Sequence, residues 1–271
     1  MKEIIKEISK ELRVTRPEAE LIVASLVEKP RFEIYYKNEL DEYAASILKI
    51  RLKELKNGVP IEYLTKKVQF MDLSLKIYPG VFIPRLETEY FVELIEKNIE
   101  SKPRKILEIG TGCGAVAISL ARVFTGALIV ATDISDRAII NAQENIRAYG
   151  LEEQVMLVRL NSFSGLDGKF DLIVSNPPYI PSTRLRLLPK SVRDFEPCIA
   201  INGGQHGIMF IKNLVKSAYE YLASNGAMAI EIDNDEVGIL EEFLDKTPFE
   251  FDFKKDLFNQ MRYLLIGKWR K

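Results

Sequence analysis

Ile106-Leu-Glu-Ile-Gly-Thr-Gly-Cys-Gly114 carries an apolar run straight into three glycines at alternating positions, and the fold turns on how it is read. The first four residues suit a buried strand, and Ala115 to Phe124 is an apolar-rich helical stretch. Glycines at such a junction let the backbone pass close to a ligand and leave amide groups free at the helix start. Further on, Asp133 closes the next strand, about 20 residues downstream, where a carboxylate can take two ribose hydroxyls.

Outward from this loop the chain alternates short apolar strands with amphipathic helices. The strands are Lys105 to Ile109, Ala127 to Thr132, Val155 to Leu160, Phe170 to Val174 and Ala227 to Ile232. Helices are predicted over Ala115 to Phe124, Ser135 to Tyr149 and Gly207 to Ala223. Such alternation implies a parallel sheet covered on both faces. The tail departs from it: Phe249-Glu-Phe-Asp-Phe253 and Arg262-Tyr-Leu-Leu-Ile266 have only a short separator, so one of them runs antiparallel.

Upstream, residues 1–58 have helical spacing. Thr15-Arg-Pro-Glu18 reads as a capping box with proline in the first turn, and a helix from Leu40 to Lys56 stops at Asn57-Gly58. Residues 59–84 read as a linker containing a β-hairpin, Val68 to Met71 against Leu73 to Tyr78. Residues 85–271 form the large α/β domain, beginning with a helix over Glu87 to Ile99.

The 271 residues carry 38 basic and 39 acidic side chains, so no basic excess points to stable nucleic-acid binding. Two distant cysteines, Cys113 and Cys198, make no disulfide framework, and the single histidine, His206, leaves no metal-ligand cluster to assemble. No long apolar run spans a membrane, and the charged start Met1-Lys-Glu-Ile-Ile-Lys-Glu7 is not a signal peptide. The expectation is a cytoplasmic, metal-free protein.

Gly110, Gly112 and Ala115 satisfy the dinucleotide pattern, so the loop by itself admits a nicotinamide cofactor or S-adenosylmethionine. Glu108 separates them: a carboxylate inside the turn suits a cationic sulfonium with an amino-acid tail and repels a pyrophosphate. The closing strand pair also resembles that of class I methyltransferases. S-adenosylmethionine, with S-adenosylhomocysteine as product, is the expected cofactor.

Ser175-Asn-Pro-Pro-Tyr-Ile-Pro181 follows the fourth strand without a spacer. Proline cannot extend the ladder, and the residue before it is held extended, so Asn176 has little backbone freedom. The Asn176 side-chain oxygen and the Pro177 carbonyl are two fixed acceptors, and Tyr179 is a ring able to lie against a planar group. Two acceptors on one NH2 orient a weak nucleophile for in-line methyl transfer. Adenine, guanine and the glutamine side chain all carry such a group.

Four motifs bring a resemblance. Phe82-Ile-Pro-Arg-Leu-Glu-Thr-Glu89, Glu108 to Gly114, Ser175 to Pro181, and Val192-Arg-Asp-Phe-Glu-Pro197 followed by Ala200-Ile-Asn-Gly-Gly204 resemble the protein-(glutamine-N5) methyltransferases. The similarity is strongest to the bacterial branch acting on peptide chain release factors. It covers nearly the whole chain, including Gly58-Val-Pro-Ile-Glu-Tyr63. It implies a class I, seven-stranded, mostly parallel fold with a C-terminal antiparallel hairpin, preceded by a helical domain that docks the release factor. It implies cofactor binding by Gly110, Thr111, Gly112, Cys113, Gly114, Asp133, Ser162 and Asn176. It implies that Asn176, Pro177, Pro178 and Tyr179 grip the glutamine of a Gly-Gly-Gln loop, with Asn176, Pro177 and Tyr179 catalytic. Leu86 stands where the family usually has proline, and Asn161-Ser-Phe163 where it often has Asp-Trp-Phe. Phe163 then reads as core. The chain's own Gly203-Gly-Gln205 reads as a loop before a helix, with His206 a loop residue, and Arg85 either shapes the site or pairs with Glu89.

Overall fold

The computed structural model describes residues 1–36 and 40–267. Residues 37–39 and 268–271, inside the expected helical and α/β domains, lie outside the described residues. Two compact units form: Met1–Lys67 with Lys190–Phe195, and Val68–Pro189 with the chain from Glu196 onward.

The first unit holds α1 (Lys2–Leu12), α2 (Arg16–Leu26), α3 (Arg31–Tyr36), α4 (Glu42–Lys56) and α5 (Ile61–Thr65). Ile5, Ile8, Ala19, Val23, Leu26 and Leu48 are buried together. The capping box at Thr15 is formed: Glu18 Oε2 accepts from the Thr15 backbone N–H at 2.7 Å. At α4, Asp41 caps by accepting from Ala44 N at 2.8 Å, and Gly58 closes the helix at φ 94°.

The stretch anticipated as one linker is divided. α5 belongs to the helical unit, whereas the hairpin β1 (Lys67–Phe70) and β2 (Leu73–Lys76) falls almost wholly in the second. Beyond it come α6 (Leu86–Asn98), β3 (Lys105–Ile109), α7 (Ala115–Val123), β4 (Leu128–Asp133), α8 (Asp136–Ala148) and β5 (Val155–Arg159). Then follow β6 (Phe170–Ser175), β7 (Ile180–Pro181), α9 (Lys190–Arg193), which belongs to the first unit, and then β8 (Asn202–Gly204), α10 (Met209–Tyr221), β9 (Leu222–Glu231), α11 (Val237–Leu244), β10 (Phe251–Lys255) and β11 (Met261–Gly267).

One face of α8 explains why the hairpin belongs here. Asn141, Asn145 and Tyr149 lie four residues apart and meet the open edge of β2. Asn145 Oδ1 accepts from Lys76 N at 2.8 Å, Asn141 Oδ1 accepts from Tyr78 N at 3.0 Å, and both side-chain amides donate to Lys76 O. Tyr149 Oη accepts from Ser74 N at 2.8 Å. The helix thus satisfies backbone groups that another strand would otherwise take.

The main sheet has seven strands in the order β10-β11-β9-β6-β3-β4-β5. β9, β6, β3, β4 and β5 are parallel, and β11 runs antiparallel to both its neighbours, as the tail predicts. β10 starts two residues later than predicted, because Phe249 instead turns its ring edge-on to Tyr219. Leu107, Ile173, Met228, Ile230 and Leu264 are buried in one core with Ile211 and Leu214 of α10. Each side chain so buried contributes roughly 1.5–3 kcal/mol relative to exposure. The strand order reverses direction between β3 and β6, the place where open α/β sheets bind ligands at the carboxyl ends of their strands.

Candidate active site

At that crevice the second unit holds a cavity of about 520 Å³, within the ordinary size of small-molecule sites. Its floor is the glycine loop. Gly110 N and Thr111 N both donate to Thr132 O, at 2.8 and 2.9 Å, folding the loop back over the end of β4. Gly114 begins α7 at φ 85°, and a Cβ there would press on the Ala142 side chain of α8 at 3.3 Å. Only glycine serves at that position.

Asp133 lines the cavity with its carboxylate fixed by the backbone. Oδ2 accepts from Gly112 N and Oδ1 from Ser135 N, both at 2.9 Å, leaving further lone pairs for a ligand. Burial raises its pKa, and those two amides act the other way. Glu108 is 4% exposed and accepts from Thr111 Oγ1 at 2.7 Å. Burial pushes its pKa up to about 7. Cys113, also in the wall, is 2% exposed, and burial pushes its thiol up to about 12, so it stays neutral.

The Asn-Pro-Pro turn forms the opposite wall. Ser175 Oγ donates to Ile109 O at 2.8 Å, fastening the end of β6 to the end of β3 and holding the turn beside the glycine loop. Asn176, Pro177 and Pro178 line the cavity. Asn176 Nδ2 donates to Thr88 Oγ1 at 2.9 Å. Asn176 Oδ1 and the Pro177 carbonyl receive no hydrogen bond from the described residues.

Of the residues assigned from sequence, Gly110, Thr111, Gly112, Cys113, Asp133, Ser162, Asn176, Pro177 and Pro178 come together around the cavity. Gly114, the N-cap of α7, is not itself in the lining, although Cys113 and Ala115 on either side of it are. Tyr179 does not reach the cavity: its ring packs on the core, and its hydroxyl donates to Glu231 Oε1 at 3.2 Å. The ring expected to lie against a planar group is packed on the core cluster instead of lining the cavity. Ser162 adopts φ 57° in the wall, and Phe163 is core, stacked on Tyr221 with ring centroids 4.8 Å apart.

Arg85 pairs with Glu196, not Glu89, and Glu196 Oε2 also accepts from Ile83 N at 3.2 Å. Two of the sequence motifs are thereby bolted together. Gly203 and Gly204 line this cavity, whereas Gln205 and His206 line a separate depression with Asp235, so only the glutamine of the chain's own Gly-Gly-Gln is turned away from it. No group of His, Cys, Asp or Glu suited to a metal ion occurs among the described residues.

Sequence reasoning missed Thr88 and Glu231. Thr88 lines the cavity and donates to Glu231 Oε2 at 2.8 Å, and Glu231 is wholly buried. A signal existed: Ala227-Met-Ala-Ile-Glu-Ile232 is a buried strand interrupted by one carboxylate, which folding tolerates only when it is well bonded.

The Methyltransferase small domain family matches residues 73–187. A release factor glutamine methyltransferase of Moorella thermoacetica is 38% identical over 229 residues, covering 82% of this chain and 81% of the relative. The chain belongs to the release factor glutamine methyltransferases. Another member, from Aquifex aeolicus, is 30% identical over 276 residues and spans 99% of this chain and 96% of its own length. Among solved structures, the T. thermophilus 16S rRNA N2 G1207 methyltransferase in complex with AdoMet and guanosine superposes with a TM-score of 0.52 at 18% identity. It covers 74% of this chain and 49% of that one. That likeness concerns the class I methyltransferase fold. No helix among the described residues is long and apolar enough to cross a membrane.

Proposed function

We propose that the chain transfers a methyl group from S-adenosylmethionine to the side-chain nitrogen, N5, of the glutamine in the Gly-Gly-Gln loop of peptide chain release factors. Family membership supports the substrate class. The observation that carries the chemistry is the pair of uncommitted acceptors, Asn176 Oδ1 and Pro177 O, on a proline-stiffened turn beside the glycine loop.

The donor set fits the cofactor. Asp133 offers backbone-braced carboxylate oxygens to ribose hydroxyls, and Glu108 offers a buried negative charge to a cationic amino-acid tail. The wall at Gly110 to Cys113 is small enough for close approach. When bound, S-adenosylmethionine supplies a methyl group already activated on a sulfonium.

The chain's own task is therefore orientation. An amide NH2 has a delocalised lone pair, and both of its hydrogens must find acceptors once water is excluded. Asn176 Oδ1 takes one and Pro177 O the other, which fixes the nitrogen and favours its becoming tetrahedral. The single histidine is not in the cavity, in keeping with a nitrogen that loses its proton after, not before, transfer. The helical unit offers a surface for the protein substrate: Tyr43 and Ile50, seven residues apart on α4, are both exposed.

The test is transfer of labelled methyl from S-adenosylmethionine to a bacterial release factor. Label should disappear when the factor's Gly-Gly-Gln glutamine becomes alanine. Asn176→Ala should lower turnover by about 100-fold or more, as losing an aligned polar group does elsewhere. Label entering DNA and not the factor would refute the proposal.

A further inference from the structure

From the Asn176 wall of the cavity a chain of hydrogen bonds runs inward to a fully buried carboxylate. Asn176 Nδ2 donates to Thr88 Oγ1 at 2.9 Å, Thr88 Oγ1 donates to Glu231 Oε2 at 2.8 Å, and Tyr179 Oη donates to Glu231 Oε1 at 3.2 Å. Thr88 comes from α6, Glu231 from the end of β9, and Asn176 and Tyr179 from the turn after β6. Thr88 is 3% exposed and Glu231 0%.

A hydroxyl has one proton to give, and an ionised carboxylate can only accept. These two facts set the polarity of the whole chain. We propose that Thr88 and Glu231 are positioning residues that decide which face of the Asn176 amide meets the substrate. The carboxylate consumes the single Thr88 proton, Thr88 is left only an acceptor for Asn176, and Asn176 must offer Thr88 its NH2. Its carbonyl oxygen then faces the cavity, the orientation that an incoming NH2 group requires. The inference rests on the proposed glutamine-amide function for its consequence, though not for its geometry.

Reversing the polarity reverses the amide. A proton on Glu231 lets it donate to Thr88, which frees the Thr88 proton for Asn176 Oδ1 and presents NH2 to NH2 across the cavity. Burial raises the Glu231 carboxyl to about 7, while Thr88, Arg262 and Tyr179 act to lower it and Glu87 to raise it. Tyr263, the register partner of Glu231 on β11, completes the surrounding titratable groups, its own pKa raised chiefly by burial. The relay is therefore poised to lose its productive polarity as pH falls through neutrality.

The experiment combines Thr88→Val, Thr88→Ser and Glu231→Gln in the full chain. Cofactor affinity by calorimetry is expected to fall far less than turnover in all three, since Thr88 and Glu231 act on the site only by orienting Asn176. Turnover on release factor at saturating cofactor should fall about 10–100-fold in Thr88→Val and Glu231→Gln, with Thr88→Ser recovering most of it. Independently of activity, the Asn176 side-chain NH2 resonances of the cofactor-free parent should titrate near neutrality and become flat in Glu231→Gln. Flat resonances in the parent, or equal turnover in Thr88→Val and Thr88→Ser, would overturn the inference. A parent chain that shows the titration yet methylates no release factor would instead refute the proposed function and leave the relay standing.

Discussion

Replacing Asn145 by alanine tests how the cavity floor is held. In the folded chain Asn145 is 1% exposed and makes three hydrogen bonds: from Lys76 N, to Lys76 O and to Cys113 O. Alanine would leave the Cys113 carbonyl orphaned in a buried place and Lys76 N in a half-buried one, while Lys76 O keeps Asn141. An unsatisfied buried group costs about 1–3 kcal/mol, and a half-buried one about 1, so the loss should total roughly 2–4 kcal/mol. For a unit of this size each kcal/mol moves the melting temperature by about 2–4 °C, giving a drop of roughly 5–15 °C. Scanning calorimetry of the full chain is the assay, with Tyr149→Phe as control, because its bonds to Ser74 are exposed and worth about 1 kcal/mol at most. Since Cys113 lies in the glycine loop, cofactor affinity should fall as well. A melting temperature lowered no further than in Tyr149→Phe would refute the reasoning.

Cofactor binding should be pH-dependent through Glu108. Its pKa is raised by burial, so the folded chain holds this proton below about pH 7 and its stabilising contribution fades as pH rises through that value. A cationic ligand reverses the preference, so affinity should be about tenfold weaker at pH 6 than at pH 8, with proton release visible as buffer-dependent binding heat. Asp133→Ala should weaken cofactor affinity about tenfold or more while affecting turnover at saturation far less; the reverse split would remove Asp133 from the cofactor site. Gly203→Ala should be poorly tolerated, because a Cβ would overlap the Gly207 carbonyl and lie 2.7 Å from Pro178 O. A loss of about 1–3 kcal/mol in denaturant titration is expected, and a neutral effect would show that this loop yields.

The alternating sheet was readable because its strands, covered on both faces, carry continuous apolar runs such as Leu172-Ile-Val174. The glycine loop and Asp133 were readable because backbone shape and charge there are local properties of a few residues. Tyr179 was not. Its direction depends on Glu231, 52 positions later, and a residue-by-residue view of the turn makes the ring equally able to face the cavity. Thr88 was quoted within a motif but could be given no task, since its partners arrive from β9 and the β6 turn. The fate of the hairpin was hidden for a similar reason: Asn141 and Asn145 look like ordinary polar positions of a surface helix until the edge of β2 is laid against them.

The place of β11 also bears on how the molecule comes into being. This strand, almost the last stretch described, lies between β9 and β10 instead of at a rim. During synthesis β10 must therefore wait without a neighbour until Met261–Gly267 has left the ribosome, and β9 meanwhile exposes the bonding groups reserved for it. A stalled or clipped product would lack the strand next to one rim and carry two raw borders, a form suited to clumping or to rapid disposal.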